Sequence, residues 1–160
     1  MTVVFCGHRN INGREKELTE KLAEALTAIF EKGKKFNYLI KFYCGGYGKF
    51  DLLVSHVIDK VRKLFPSVHC EKVLVVPYLN ISLEKREALM LEYDYLLYPS
   101  IENVPYRFAI AKRNEWMVEQ ADIIVSYTEH NWGGAFQMVK FAEKKHKNIL
   151  YLSIRHPDAM

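Results

Sequence analysis

The feature that most constrains this chain is an alternation. Short apolar runs rich in β-branched residues trade places with longer stretches whose apolar residues recur at three- and four-residue steps. Runs at 3–6, 38–43, 72–76, 122–127 and 148–153 predict strands. The spacing at 15–30, 50–61, 107–120 and 135–145 predicts helices with one apolar face. Gly33 reads as the stop of the first helix, and Pro77 closes the third strand. Segment 82–98 begins as a helix and loses its period among tyrosines, and Pro99 and Pro105 bracket a connection. Strands that alternate with helices in this way imply βαβ crossovers. The expected fold class is therefore α/β, a single three-layer Rossmann-like domain over 1–160 with a mostly parallel sheet.

At 160 residues, 49% of them hydrophobic, the chain suits one domain with a full core rather than a disordered polymer. No apolar run approaches the ~20 residues that cross a bilayer, and the start MTVVFCGHRN has no basic region ahead of its apolar stretch. A cytoplasmic protein without a membrane partner is expected. Cys6, Cys44 and Cys70 lack CxxC spacing and read as reduced thiols. Cys6, Cys44 and His8 make only a caricature of a metal site, so no metal and no cofactor is assigned. A net charge of +4 tolerates an anionic ligand, but 23 basic residues are interspersed with 19 acidic ones, which does not mark a nucleic-acid binder. Lys140, Lys144, Lys145 and Lys147 gather where a helix should end, and there cations complement the carbonyl end of the dipole.

Chemistry in an open parallel sheet collects at the carboxyl ends of the strands. Three predicted strand ends carry unusual loops: Gly7-His8-Arg9, then Cys44-Gly45-Gly46-Tyr47-Gly48-Lys49-Phe50-Asp51, then Glu129-His130-Asn131-Trp132-Gly133-Gly134. Glycine lets main chain approach a phosphate closely, and a following helix start supplies oriented N–H donors. Neither glycine cluster fits GxxxxGK[ST] or GxGxxG, which removes the main support for a P-loop NTPase or a nicotinamide enzyme. Arg9 can fork across a phosphate, whereas His8 either touches a ligand or packs against a neighbour. Asp51 either reads a ribose or base, or complements the positive end of its own helix. Arg113 is a ligand candidate or a solvated helix-face residue. Trp116 and Met117 read as core, and the tyrosines at 93, 95, 98 and 106 as sheet cover or a subunit contact.

The succession GHR, CGGYGKFD, RNEWMVEQADIIVSY, WGGAFQMVKFA and KNILYL resembles the SLOG superfamily, the Rossmannoid group that unites DprA-type and LOG-type proteins. The likeness is greatest to its bacterial YpsA-like branch, formerly DUF1273, and covers nearly the whole chain. It implies glycine loops facing a nucleotide or nucleotide-derived ligand, often in a homodimer. Under it Gly45, Gly46 and Asp51 match the first loop, and Gly133 and Gly134 match the second. Arg113 matches an arginine that is catalytic in LOG proteins. Those phosphoribohydrolases carry PGGxGTxxE, whereas here Trp132 replaces the proline and Lys140 the glutamate. Cleavage needs a carboxylate to stabilise a developing cation or handle a proton, which lysine does not provide.

Three readings follow. In the leading one the chain binds or senses a nucleotide-like small molecule through Gly7, His8, Arg9, Gly45, Gly46, Asp51, Arg113, Gly133 and Gly134. In the second it hydrolyses an N-glycosidic bond with Asp51, Glu115 or Glu129 replacing the absent glutamate. The third is a DprA-like single-stranded DNA binder using lysines 140, 144, 145 and 147 with stacked tyrosines, and it ranks last because no basic stripe is interleaved with aromatics.

Overall fold

The computed structural model describes residues 1–152 and contains a six-stranded, all-parallel sheet in the order β4-β3-β2-β1-β5-β6. The strands are β1 (Thr2–Gly7), β2 (Ile40–Cys44), β3 (Cys70–Val75), β4 (Tyr95–Leu97), β5 (Ile123–Tyr127) and β6 (Ile149–Tyr151). Between them run α1 (Glu15–Phe36), α2 (Lys49–Arg62), α3 (Leu83–Glu92), α4 (Ala109–Gln120) and α5 (Gly133–Lys144). A short 3-10 turn, Tyr106–Phe108, leads into α4. The anticipated three-layer α/β class is what the chain adopts.

Alternation along β1 explains the layers. Val3 and Phe5 point to one apolar cluster, built with Leu18, Leu22 and Phe30 of α1 and Phe50 and Val54 of α2. Val4 and Cys6 point to the other, built with Met117 and Val118 of α4 and Met138 and Val139 of α5. A central parallel strand buried on both faces must be a continuous apolar run, as this one is. Among the described helices none is long and apolar enough to cross a membrane.

Several local expectations are corrected. Gly33 does not end α1; the helix runs on to Phe36, where Asn37 takes a left-handed conformation and its N–H caps the Gly33 carbonyl. Glycine at 33 serves packing, since a Cβ there would stand 2.7 Å from Ile40 Cδ1 at the start of β2. The second strand accordingly begins at Ile40, not at residue 38. Segment 82–98 divides into α3 and the edge strand β4. Ser82 opens α3 by accepting the Lys85 N–H at 3.2 Å. The last strand starts at Ile149, and Ser153 lies outside the described residues.

The strand order sets the location of the site. From β1 the chain winds outward through β2, β3 and β4, then returns to place β5 on the other side of β1. The crevice between the ends of β1 and β5 is where the winding reverses, the place at which open α/β sheets hold ligands.

Candidate functional site

A cleft of about 580 Å³ opens over that reversal. Its floor is apolar, with Phe5, Met117 and Met138, and its rim comes from the loops after β1, β2 and β5. Gly7, His8, Arg9, Gly45, Asp51, Arg113, Gly133 and Gly134 all line it. Gly46 does not. It faces a neighbouring cavity of about 490 Å³ beside Leu74, Tyr78 and Tyr106.

The β1 and β2 loops are fastened to each other. Lys49 N–H donates to the Arg9 carbonyl at 2.9 Å. Gly48 has φ +93°, and a Cβ on it would sit 2.6 Å from Arg9 Cα, so only glycine allows this approach. Gly7 is glycine for a related reason: the ring of Phe50 occupies the space a Cβ would need. The close approach there is to α2, not to a ligand.

Arg113 reaches from α4 across the strand ends. It is 2% exposed, and its Nη1 donates to the carbonyls of Gly45 at 3.0 Å and Val75 at 2.5 Å. Nε donates to Asn114 Oδ1 at 2.9 Å, and the guanidinium lies 5.4 Å from the centre of the Tyr47 ring. The alternative of a solvated helix-face arginine is thereby excluded. Burial pulls its pKa below the usual guanidinium value, partly opposed by the Asp51 charge. Arg9 approaches the same tyrosine ring at 5.9 Å. Tyr47 thus has two cations against its ring, a role that the GGYG string does not disclose.

Asp51 sits in the first turn of α2, buried, with Oδ2 accepting the Tyr47 N–H at 2.9 Å. Desolvation raises its carboxyl to about 6, against the lowering pull of that hydrogen bond and of Arg113 and Arg9. The two other acids considered for a chemical role stand elsewhere. Glu115 lines an adjacent cavity and pairs with Lys112 at 3.2 Å. Glu129 holds Arg14 and accepts the Tyr127 hydroxyl at 3.0 Å. Lys140 belongs to that same adjacent cavity, with Glu143 at 3.5 Å.

His8 has a structural task. Its Nε2 accepts the Glu129 N–H at 2.9 Å, and burial lowers its pKa to about 4, with nearby His130 lowering it further. An imidazole that accepts at Nε2 must be unprotonated there, which agrees with that direction. Its ring stacks on His130 at 3.6 Å between centroids, and His130 stacks on Trp132 at 3.8 Å. Both partners line the cleft, although the sequence marks them only as part of the loop before Gly133-Gly134.

Beyond Trp132, α5 begins with bare main chain. No side chain caps its first turn and no acid stands there, and a Cβ on Gly134 would meet nothing within 4 Å. N–H groups in the first turn of a helix have no intrahelical hydrogen-bond partner, and here they belong to cleft-lining residues, Gly133, Gly134 and Ala135. Cys6, also in the lining, donates its thiol to the Ala135 carbonyl at 3.1 Å, and burial pushes its pKa far up, so it is an inert neutral thiol. Of the other lysines near the end of α5, Lys147 closes α4 instead: its Nζ donates to the carbonyls of Glu119 at 3.0 Å and Ala121 at 3.1 Å.

No family model and no curated protein matches the chain. Solved structures do resemble it. DNA processing protein A from Streptococcus pneumoniae superposes with a TM-score of 0.64 at 10% identity, over 94% of this chain and 49% of its own. DNA processing protein A from Helicobacter pylori, whose structure concerns single-stranded DNA binding, gives 0.63 at 16% identity, over 97% and 66%. The structural-genomics target TM1055 gives 0.56 at 17% identity, over 92% and 71%. The chain therefore spans about half of one DNA processing protein A and about two thirds of the other. At these identities the likeness is one of fold alone: an open parallel α/β sheet of the Rossmann-like kind, shared with these structures.

Proposed function

We infer that this chain binds a phosphorylated, nucleotide-like small molecule in the cleft over β1 and β5. The observation that carries this reading is the convergence of three loops and buried Arg113 on one cavity, where α5 starts uncapped with glycines 133 and 134. Main-chain donors at Gly45, Gly133 and Gly134 seat the phosphate, and Arg9 and Arg113 supply positive charge. Asp51 accepts a hydrogen bond from a sugar hydroxyl. His8 acts through the β5 loop it holds, and Gly7 and Gly46 shape the loops that carry the contacts.

A second reading rests on Asp51 itself. Of the acids weighed for catalysis it alone lines the cleft, and a carboxyl at about 6 lies in the range useful for proton transfer. In that reading the cleft hydrolyses an N-glycosidic bond. A DNA-binding reading draws support from the H. pylori structure's single-stranded DNA binding.

Isothermal titration with adenosine 5′-monophosphate, adenosine and a short oligodeoxythymidylate, each followed by mass spectrometry of the recovered ligand, separates the three. The binding reading predicts that the monophosphate binds about tenfold or more tighter than the nucleoside, the worth of a charged hydrogen bond, and returns intact. Equal affinities for nucleoside and nucleotide contradict it. Free base in the recovered fraction establishes the hydrolase, and tightest binding of the oligomer with a steep salt dependence establishes the DNA binder.

A further inference from the structure

The three-ring ladder at the cleft has a free end. His8 is its buried base, His130 its middle and Trp132 its outer ring, with centroid spacings of 3.6 and 3.8 Å and interplanar angles of 15° and 17°. Trp132 is 66% exposed although it lines the cleft. One indole face is covered by His130, so the exposed area belongs to the rest of the ring. A tryptophan so exposed leaves much of its indole open to a second ring. His130 Nδ1 is buried with no hydrogen-bond partner among the described residues, while its ring stacks on both His8 and Trp132. Main-chain amides of Gly133 and Gly134 follow Trp132 directly, which puts an exposed aromatic ring and an uncapped helix start on adjacent residues.

We propose that Trp132 is the base platform of the cleft: the open face of its indole stacks a purine or pyrimidine ring, extending the His8–His130–Trp132 ladder by one ring, while the phosphate rests at the start of α5. The inference rests on the binding reading above and assigns its ligand class, a molecule that carries both a nucleobase and a phosphate. It also accounts for tryptophan at this position. A proline there would turn the loop but offers neither the width nor the polarisability of an indole for stacking. Buried His8 fixes the ladder from below through the Glu129 N–H, so the platform is rigid before the ligand arrives.

The test uses adenosine 5′-monophosphate and ribose 5-phosphate as probes, on the wild type, Trp132→Ala and Trp132→Phe. Base–aromatic stacking predicts that Trp132→Ala weakens the nucleotide by about tenfold, that Trp132→Phe retains most of the affinity, and that ribose 5-phosphate binds all three alike. In a Trp116→Phe background, the nucleotide should quench the remaining indole emission and ribose 5-phosphate should not. Equal weakening of both probes by Trp132→Ala would overturn the proposal, because the residue would then act on loop geometry; the phosphate site would stand. Wild-type protein that binds neither probe defeats the binding reading itself, and the platform with it.

Discussion

Arg113 shows most directly what a single side chain does here. It is buried and supports two carbonyls from different strand ends, so its removal leaves polar groups unpaired in a low-dielectric setting. Arg113→Ala should therefore lose about 1–3 kcal/mol in urea unfolding as well as ligand affinity, where a helix-face arginine would lose almost nothing. Asp51 and His8 respond to pH with opposite signs. The carboxyl is raised from 3.8 to about 6 in the fold, so its contribution to stability is complete below the lower value and is lost as pH rises through the upper one. The imidazole is lowered from 6.5 to about 4, so its contribution is complete above the higher value and is lost as pH falls towards the lower. Asp51→Asn should accordingly gain thermal stability over wild type as pH rises from about 4 to 6, read as a growing difference between melting temperatures. A constant difference across that window contradicts a raised carboxyl. Among these residues the sequence displayed the chemistry of Arg9, Asp51 and Arg113, because residue type alone limits what they can do. It did not display His130 and Trp132 as a stack or two arginines against the Tyr47 ring, since ring contacts depend on side-chain directions set by the fold.

At the scale of elements, the loop after β2 is the most tightly specified piece. Gly48 combines a positive φ with a backbone neighbour that no rotamer change can move aside. Gly48→Ala should lower stability by about 2 kcal/mol, a fall of roughly 4–8 °C in a melting experiment, and loosen the β1 and β2 loops together. Helices with strong apolar periodicity, α1 and α2, were legible to within a few residues. Their ends were less so: Gly33 looked like a stop because glycine commonly ends helices, yet here it makes room for Ile40. Edge strand β4 was hidden because its three residues are only partly buried and lack a distinctive pattern. Lys72 is another element-scale surprise. It is fully buried in β3, with Nζ donating to Ser55 Oγ at 2.8 Å and Asp59 Oδ2 at 2.9 Å, a pairing between strand and helix that spacing alone does not reveal.

For the molecule as a whole, alternation predicted parallel crossovers but left strand order open, because each βαβ unit is locally the same whichever neighbour it joins. The order matters more to function than any single motif: it brings the ends of β1 and β5 together and so joins loops more than a hundred residues apart in sequence, as in the hydrogen bond from Glu129 to His8. That junction is the central claim, and amide chemical shifts test it most directly. Titration of ¹⁵N-labelled protein with adenosine 5′-monophosphate should move the backbone resonances of Gly45, Gly133 and Gly134 together, along one binding curve, while adenosine without phosphate moves the glycine amides far less. Shifts confined to the lysine-bearing end of α5, or glycine amides that stay still while the nucleotide binds, would contradict the account.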